Sequence, residues 1–578
     1  MPRESRSGEL EDAIYHVFSE HQEQIMSSDY DTSVLIVGGG PTGLSTSIML
    51  SRLGVSSLLV EKHADTALHP KAAGISTRTM ELFRQWGVDA RVREAGFDVD
   101  IVNSIRTTLA GPELQHVSLG YPDAELARTL SPTAPVACAQ DYLEPILLAH
   151  ARNQDLAEIR FNTELTAIEQ DEHGVEATIV DRRTNRGRVV RARFLVGADG
   201  VWSSVRRKSG IEMTGNGQMG EHLSVLFRAD LATIARTPLC ALYAVKNEHV
   251  NGILTPTSGD GRWIFATPWT PGTELPDPCG LQDLVRKAVG IHVDVDVIDA
   301  ATLVFGAQVA ERFRDRNVFL VGDAAHRMTP SGGMGMNTAI HGAHNLAWKL
   351  AAVIRGWAAP SLLDTYETER KPVGERNVAR SIGQMPELTG LAADMGAVYQ
   401  SSAVAPSEIV TDGGYVKPGL PARIGQRVPH LWIESDGRSV STVDLAERGF
   451  VLLASTDGES WCAPAEAAAR LLGVPLETVI VRARASFATA THLWHAYFGA
   501  DSRQAVLLRP DGHIAWITPE SSAEPTLDVA RELVALLGLS EATTVVPEKT
   551  VAKRAKRASR PKSITTGEWR RPRRTGAS

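Results

Sequence analysis

The period of the hydrophobic positions changes several times along this chain, and the changes divide it. Val34 to Val37 is an unbroken apolar run, and Ser57 to Val60 repeats the pattern after a helix running through Ser51. Runs without alternation suit strands buried on both faces of a parallel sheet. Phe194 to Gly197 and Val318 to Val321 are two more of the kind. Beyond the last, a glycine-rich loop leads into a long helix from Asn337, with Ile340, Ala343, Leu346, Ala347, Leu350 and Ala351 at helical spacing. Thr77 to Trp86, bearing Met80, Leu82 and Phe83, and Tyr142 to Arg152 read as further helices. From about 210 to 302 apolar and polar residues alternate instead, as in Leu223 to Arg228 and Arg262 to Trp269. This predicts a mostly antiparallel sheet inserted into the α/β frame.

Outside these blocks the patterning is weaker. Residues 105 to 135 hold Pro112, Pro122, Pro132 and Pro135 and read as an irregular excursion. Asp364 to Arg380 is a charged, exposed helix, and 385 to 417 has little pattern and reads as a connection between domains. Residues 418 to 545 form a separate small α/β unit with strands at Phe450 to Ala454, Thr478 to Arg482, Ala505 to Arg509 and Ile514 to Ile517. Pro510-Asp511-Gly512 turns the last two into a hairpin. Residues 1–29 are an extension in which Leu10, Ile14, Val17 and Phe18 suit a short amphipathic helix. The tail from 546 carries eleven Lys and Arg against two Glu and suits a solvated, disordered end or a cationic anchor for nucleic acid or membrane.

With 578 residues, 43% hydrophobic and 22% charged, the chain has the composition of a globular enzyme of several domains. A net charge of −8 argues against general nucleic-acid affinity. Four scattered cysteines, Cys138, Cys240, Cys279 and Cys462, show no metal-ligand spacing and suit reduced thiols in the cytoplasm. No apolar run approaches the roughly 20 residues that span a bilayer.

Candidate chemistry sits where the apolar runs end. After Val37 comes Gly38-Gly39-Gly40-Pro41-Thr42-Gly43, then a helix. In G-x-G-x-x-G the first glycine makes the turn, the second admits a pyrophosphate, and the third lets helix and strand pack closely. Glu61 ends the second strand, eighteen residues beyond Gly43, where an acid can accept both hydroxyls of an adenosine ribose. Strand, helix and acid together indicate a dinucleotide site. In His69-Pro70-Lys71-Ala72 the lysine either faces a cofactor phosphate or is a solvated loop cation, and Gln140 stands at a helix start able to touch a ligand. Ala198-Asp199-Gly200-Val201-Trp202-Ser203-Ser204-Val205-Arg206 is an Asp-Gly turn with a capping serine that, beside the other motifs, becomes a second wall of one cleft. Asp323 follows the Val318 strand and can accept from sugar-like hydroxyls, while the backbone of Gly335 to Asn337 opens a helix suited to an electron-rich ligand edge. Trp263, Phe265 and Trp269 share one face of a strand and suit either a pocket wall or a core.

With GGGPTG, ADGVWSSVR and GDAAHRMTPSGGMGMN in this order, the chain resembles the single-component flavoprotein aromatic hydroxylases, the p-hydroxybenzoate hydroxylase-like monooxygenases, over about residues 30 to 385. It is most similar to the larger bacterial enzymes of phenol catabolism and natural-product tailoring, which add a C-terminal thioredoxin-like domain. The resemblance implies an α/β fold: a Rossmann-like FAD-binding domain (30–105, 136–209 and 303–385) with an inserted antiparallel substrate sheet (106–135 and 210–302). A linker (386–417) and a thioredoxin-like domain (418–545) follow. It implies non-covalent FAD held by Gly38, Gly40, Pro41, Thr42, Gly43, Glu61, Lys62 and Lys71, with Leu165 near the adenine and Gln140 near the ribityl-phosphate region. Asp323 would hold the ribityl chain, the Pro330 loop would border the reacting oxygen, and Gly335, Met336 and Asn337 would face the ring. Asp199 and Arg206 belong to a motif associated with both FAD and NADPH. Many relatives have arginine where Lys71 stands, so a bidentate contact becomes a point charge.

The implied reaction is NAD(P)H-driven hydroxylation of an aromatic small molecule by oxygen through a flavin C4a-hydroperoxide. NADPH or NADH docks transiently, and a homodimer is left open. No catalytic side chain is assigned. Oxygen insertion beside a ketone, inactivation of an aromatic antibiotic and a silent flavin carrier remain as rival readings. In the C-terminal unit, Trp461-Cys462-Ala463-Pro464-Ala465 stands where a thioredoxin carries W-C-G-P-C, but Ala465 removes the resolving thiol. Cys462 is then either a reactive thiolate near a helix start or a packing residue.

Overall fold

Apolar runs and glycine-rich connections place the first sheet. In the computed structural model, β1 (Thr32–Val37) crosses through α1 (Pro41–Arg52) to the parallel β2 (Ser57–Val60). Next come α2 (Thr77–Trp86), α3 (Gln140–Arg152), β3 (Arg186–Gly197) and α4 (Ser204–Lys208). The structure describes residues 30–539 except 123, 236–237, 408–414, 417–420, 436 and 482–493. The extension 1–29 with its expected helix, the basic tail from 546, and Arg482 lie outside the described residues. The chain continues through β4 (Met213–Arg228), β5 (Arg262–Trp269), β6 (Asp296–Ala310), β7 (Val318–Leu320), α5 (Gly335–Ile354) and α6 (Asp364–Ser381). β3, β1 and β2 are parallel neighbours, and β7 lies parallel beside β3. Val34, Leu35, Ile36, Leu195 and Val196 are fully buried, as strands covered on both faces require. Val37, Gly197 and Leu320 pair at one end of this sheet, so the three motif loops leave from the same carboxyl edge.

The alternating block builds a second eight-stranded sheet, in which β6, β4 and β5 are neighbours. Leu223, Val225 and Phe227 of β4 and Trp263 and Phe265 of β5 pack with Tyr243, Leu254, Leu281 and Val285 in a separate core. The period of two sends His222, Ser224 and Leu226 to the opposite face, beside Leu303, Ala301 and Asp299 of β6 and Pro268, Ala266 and Ile264 of β5. One pairing departs from the antiparallel expectation, since Cys240–Lys246 runs parallel to Asp100–Arg106. The excursion at 105 to 135 is also more regular than expected. It holds a strand, Glu113–Ser118, and a helix, Ala124–Leu130. That strand is the sheet's edge with every residue exposed, so it carries no buried face for the sequence to reveal.

Residues 386–417, expected as a linker, contain α7 (Gly390–Met395) and bury Leu388, Ala393, Met395, Val398 and Tyr399. Asp394 accepts from the backbone N–H of Arg78 at 3.1 Å, which ties this segment to α2. The C-terminal unit follows with β8 (Phe450–Ser455), α8 (Cys462–Leu472), β9 (Leu476–Val481), β10 (Ala505–Leu508), β11 (Ile514–Ile517) and α9 (Pro525–Leu536). Its sheet has the order β9-β8-β10-β11, with β9 parallel to β8 and the rest antiparallel. Buried charges join it to the first domain. Arg509 donates to both carboxylate oxygens of Glu369 on α6, at 2.6 and 2.9 Å, and Lys349 of α5 reaches Glu369 at 2.8 Å. Among the described residues no helix is long and apolar enough to cross a membrane.

Candidate cofactor and substrate site

The turn after β1 is shaped by what it excludes. Gly38 has φ +111°, and a Cβ there would lie 2.3 Å from Ala198 O. A Cβ at Gly43 would meet Gly38 O at 1.9 Å. At Gly40 the nearest atom to such a Cβ is Glu144 Oε1 at 3.8 Å, so the backbone surface there stands open. Pro41 and Thr42 begin α1, whose first N–H groups have no partner within the helix. An open glycine surface at a helix start is a seat for a pyrophosphate, and the residues present fit one.

Around that seat, Glu61 is held by two backbone donors, Gly39 N at 2.7 Å and His63 N at 2.8 Å. Thr163 N bonds Glu61 O at 2.7 Å, which brings the strand carrying the buried Leu165 alongside. Lys62 and Lys71 are exposed. Lys71 N donates to Gln140 Oε1 at 3.2 Å, and Gln140 Nε2 donates to Glu144 at 2.6 Å. Asp323 is half-buried just past β7. Burial raises its pKa, while the charges of Lys71 and Arg327 oppose the rise. A carboxylate flanked by two cations at a distance suits the hydroxyls of a polyol chain.

Asp199 and Arg206, expected to belong to a cofactor-binding motif, are both engaged by the protein itself. Asp199 accepts from Ser204 N at 2.6 Å, Val205 N at 3.1 Å and the Ser203 hydroxyl, so it caps α4. Arg206, itself buried, donates to Ala324 O and Val201 O, both at 3.2 Å. This staples the Asp-Gly turn to the loop that carries Asp323, and both residues hold the wall in place.

α5 opens at Gly335, and its first N–H groups, on Gly335, Met336 and Asn337, have no acceptor within the helix. Asn337 is fully buried and spends its side chain on the protein. Its oxygen accepts from Ser76 N at 3.0 Å and the Thr79 hydroxyl at 2.8 Å, and its amide donates to Gly74 O and Gly333 O. The starts of α2 and α5 are thereby locked together. Pro330 is exposed and begins a turn closed by Gly333 N to Pro330 O at 3.0 Å. Gly332 and Gly333 take φ +82° and +61°, and Tyr121 donates to Gly332 O at 2.7 Å.

Trp263 and Phe265 are 2% and 0% exposed in the second core, so they do not line the cleft. Trp269 is half-buried and donates to Thr273 O. The opposite face of the sheet, which His69 reaches, is largely aliphatic, with Ile264, Ala266, Ala301 and Leu303 half-buried. On it His222 stacks over Phe305, ring centroids 4.1 Å apart, with its Nδ1 buried and unpartnered among the described residues. Burial lowers the His222 pKa, which keeps its ring neutral near neutral pH. His69 bridges to this wall, bonding Ser224 Oγ and Asp299 Oδ2, each at 2.8 Å. Arg262 pairs with Asp141 beside Gln140 and lies 5.1 Å from the Tyr142 ring. Sequence reasoning assigned none of these residues a role. The available signal was the period of two, which sets 222, 224 and 226 opposite the apolar 223, 225 and 227.

In the C-terminal unit, Cys462 is half-buried at the first turn of α8. Burial, with Glu459 and Glu466 nearby, pushes its thiol up, against the reading of a reactive thiolate.

Comparison with known proteins gives two family matches: an FAD binding domain over residues 31–381 and an aromatic-ring hydroxylase C-terminal domain over 422–538. A tetracenomycin B2 monooxygenase-dioxygenase of Streptomyces olivaceus is 39% identical over 530 residues, spanning 85% of this chain and 96% of its own. An aklavinone 12-hydroxylase of Streptomyces peucetius is 38% identical over 458 residues, covering 75% of this chain and 93% of its own. The solved ternary complex of aklavinone-11 hydroxylase with FAD and aklavinone superposes with a TM-score of 0.80 at 33% identity, covering 89% of this chain and all of that one.

Proposed function

Because the chain belongs to the FAD-binding aromatic-ring hydroxylases, we propose that its substrate is a fused polycyclic aromatic of polyketide type, seated between the aliphatic sheet wall and the start of α5. The protein is an FAD-dependent monooxygenase, and its family implies NAD(P)H and oxygen as co-substrates. Bound FAD supplies hydride acceptance and oxygen activation. Everything else falls to the chain.

Gly38 and Gly43 allow the tight turn and the close helix packing, Gly40 leaves backbone open to the pyrophosphate, and the start of α1 offers it N–H donors. Glu61 faces the adenosine ribose with Leu165 beside the adenine, and Asp323 takes the ribityl hydroxyls with Lys71 opposite. The free N–H groups of Gly335, Met336 and Asn337 stabilise negative charge at the ring edge, and the Asn337 side chain keeps them aimed. Substrate lies flat on Ile264, Ala266, Ala301 and Leu303, which exclude water from the reacting carbon. His222, neutral and facing the cleft, is the base placed to accept a phenolic proton. A reducing, cytoplasmic setting fits the four free thiols.

The observation that carries the polycyclic substrate is the wall itself. Ile264 and Ala266 of β5 and Ala301 and Leu303 of β6 give this face short and aliphatic side chains on either side of β4, beside the stacked His222 and Phe305. Holoenzyme supplied with NADPH or NADH and air should convert an anthracyclinone or naphthacenequinone to a product heavier by one oxygen. Turnover confined to single-ring phenols would reject the polycyclic reading.

A further inference from the structure

Residues 61 to 73 form an irregular strap from the end of β2 across the dinucleotide turn. It is pinned at three points. Ala67 N donates to Glu144 Oε2 at 2.8 Å, and Lys71 N donates to Gln140 Oε1 at 3.2 Å, both on α3. Between them His69 reaches the other domain, where Nδ1 meets Asp299 of β6 and Nε2 meets Ser224 of β4. With Asp299 on Nδ1, a neutral ring carries its proton there and accepts the Ser224 hydroxyl at Nε2; a protonated ring donates at both. Ser224 is 1% exposed and the His69 side chain 10%, so the chain of bonds is largely shielded from water, with Asp299 at its open end. The Ser224 oxygen is covered by the imidazole, which rules out a role as an attacking group in this arrangement.

Position gives this chain its meaning. Glu144, which holds the strap at Ala67, is also the side chain nearest the open surface over Gly40. Ser224 and Asp299 stand on the aliphatic face, level with Ala266, Ala301 and Ile264. One imidazole therefore spans the seat of the pyrophosphate and the wall of the substrate.

We propose that His69 is a positioning residue that couples cofactor binding to the substrate sheet: the Asp299–His69–Ser224 chain suspends the 61–73 strap from the sheet and holds it over the dinucleotide turn. This rests on the reading of that turn as the FAD seat. Coupling of this kind is reciprocal, so anything that orders the sheet face tightens the strap, and the bound dinucleotide in turn steadies Ser224 and Asp299.

The test uses holoenzyme carrying His69→Ala, Asp299→Ala, both together, or Asp299→Asn. FAD release on dilution is followed by flavin fluorescence, and amide exchange is followed at 61–73 and at 222–226. Losing two hydrogen bonds should raise the FAD dissociation constant about tenfold in His69→Ala. Asp299→Ala should show a similar effect, and the double variant should lose no more than either alone, because one chain of bonds is broken in each. Asp299→Asn, which keeps an acceptor, should restore most of the affinity. Exchange should rise at both ends of the chain, including the 222–226 segment in the other domain. Unchanged FAD release with exchange confined to the strap, or losses that simply add, would overturn the coupling. A wild-type protein that holds no FAD would instead overturn the reading of the site.

Discussion

Asp323 is the residue on which cofactor affinity is expected to turn. Burial raises its pKa against the charges of Lys71 and Arg327, and it lies in no salt bridge among the described residues. Asp323→Ala should weaken FAD binding by on the order of ten- to a hundredfold, the worth of hydrogen bonds to a charged group at about 1.5–3 kcal/mol. Titration of the apoprotein with FAD measures this, and unchanged affinity would remove Asp323 from the site. Asp199 stands at an equivalent strand end yet is committed to α4 through Ser204 N and Val205 N. The two acids are alike in sequence and differ only in where backbone donors converge, which a motif does not reveal. Cys462 shows the same limit. A helix start suggested a lowered thiol pKa, but burial and the neighbours Glu459 and Glu466 push it up. Cys462→Ser should therefore leave NAD(P)H-coupled oxygenation unchanged, and a large loss with flavin intact would put a thiol in the mechanism.

Among elements, those with a strong period were legible and those without were not. β5 runs over the residues its alternation predicts, Arg262–Trp269, β11 over the Ile514–Ile517 that the turn before it predicts, and α2 matches Thr77–Trp86. The exposed edge strand Glu113–Ser118 and the short α7 lacked a buried face long enough to read. For the substrate wall, alternation predicted two faces but not which one turns to the cofactor. Large aromatics drew attention to the core face, whereas the opposite face, proposed to meet the substrate, carries small residues such as Ala266 and Ala301. Ala301→Phe should accordingly raise KM for a polycyclic substrate at least several-fold while FAD content stays at the wild-type level. Steady-state kinetics beside the flavin absorbance ratio tests this; an unchanged KM would move the substrate off this wall.

Over the whole molecule, the C-terminal unit is clamped to the flavin domain by a buried polar seam. Arg509, Glu369, Lys349 and Asp511 form one network, and His341, His344 and His513 share a small cavity with Arg78, Arg370, Asp394 and Tyr399. Burial chiefly holds these histidines neutral, with the His344 pKa pulled down to about 3 and His341 and His513 also lowered. A base with a folded pKa below its unfolded value of about 6.5 contributes full stability above that pH and loses it as pH falls. Asp394, raised to about 6, acts oppositely and gains as pH drops below that value. Three histidines outweigh one carboxyl, so the melting temperature should fall steadily from pH 7 to 5, and a flat profile in differential scanning would contradict the seam. In the proposed reaction oxygen reaches an aromatic carbon through FAD held where the three motif loops converge. Single turnovers of the holoenzyme under 18O2, with NADPH and a polycyclic aromatic acceptor, test it most directly. One 18O atom should enter the product and none from labelled water; product oxygen drawn from water, or NADPH oxidation yielding only hydrogen peroxide with every acceptor tried, would contradict this route.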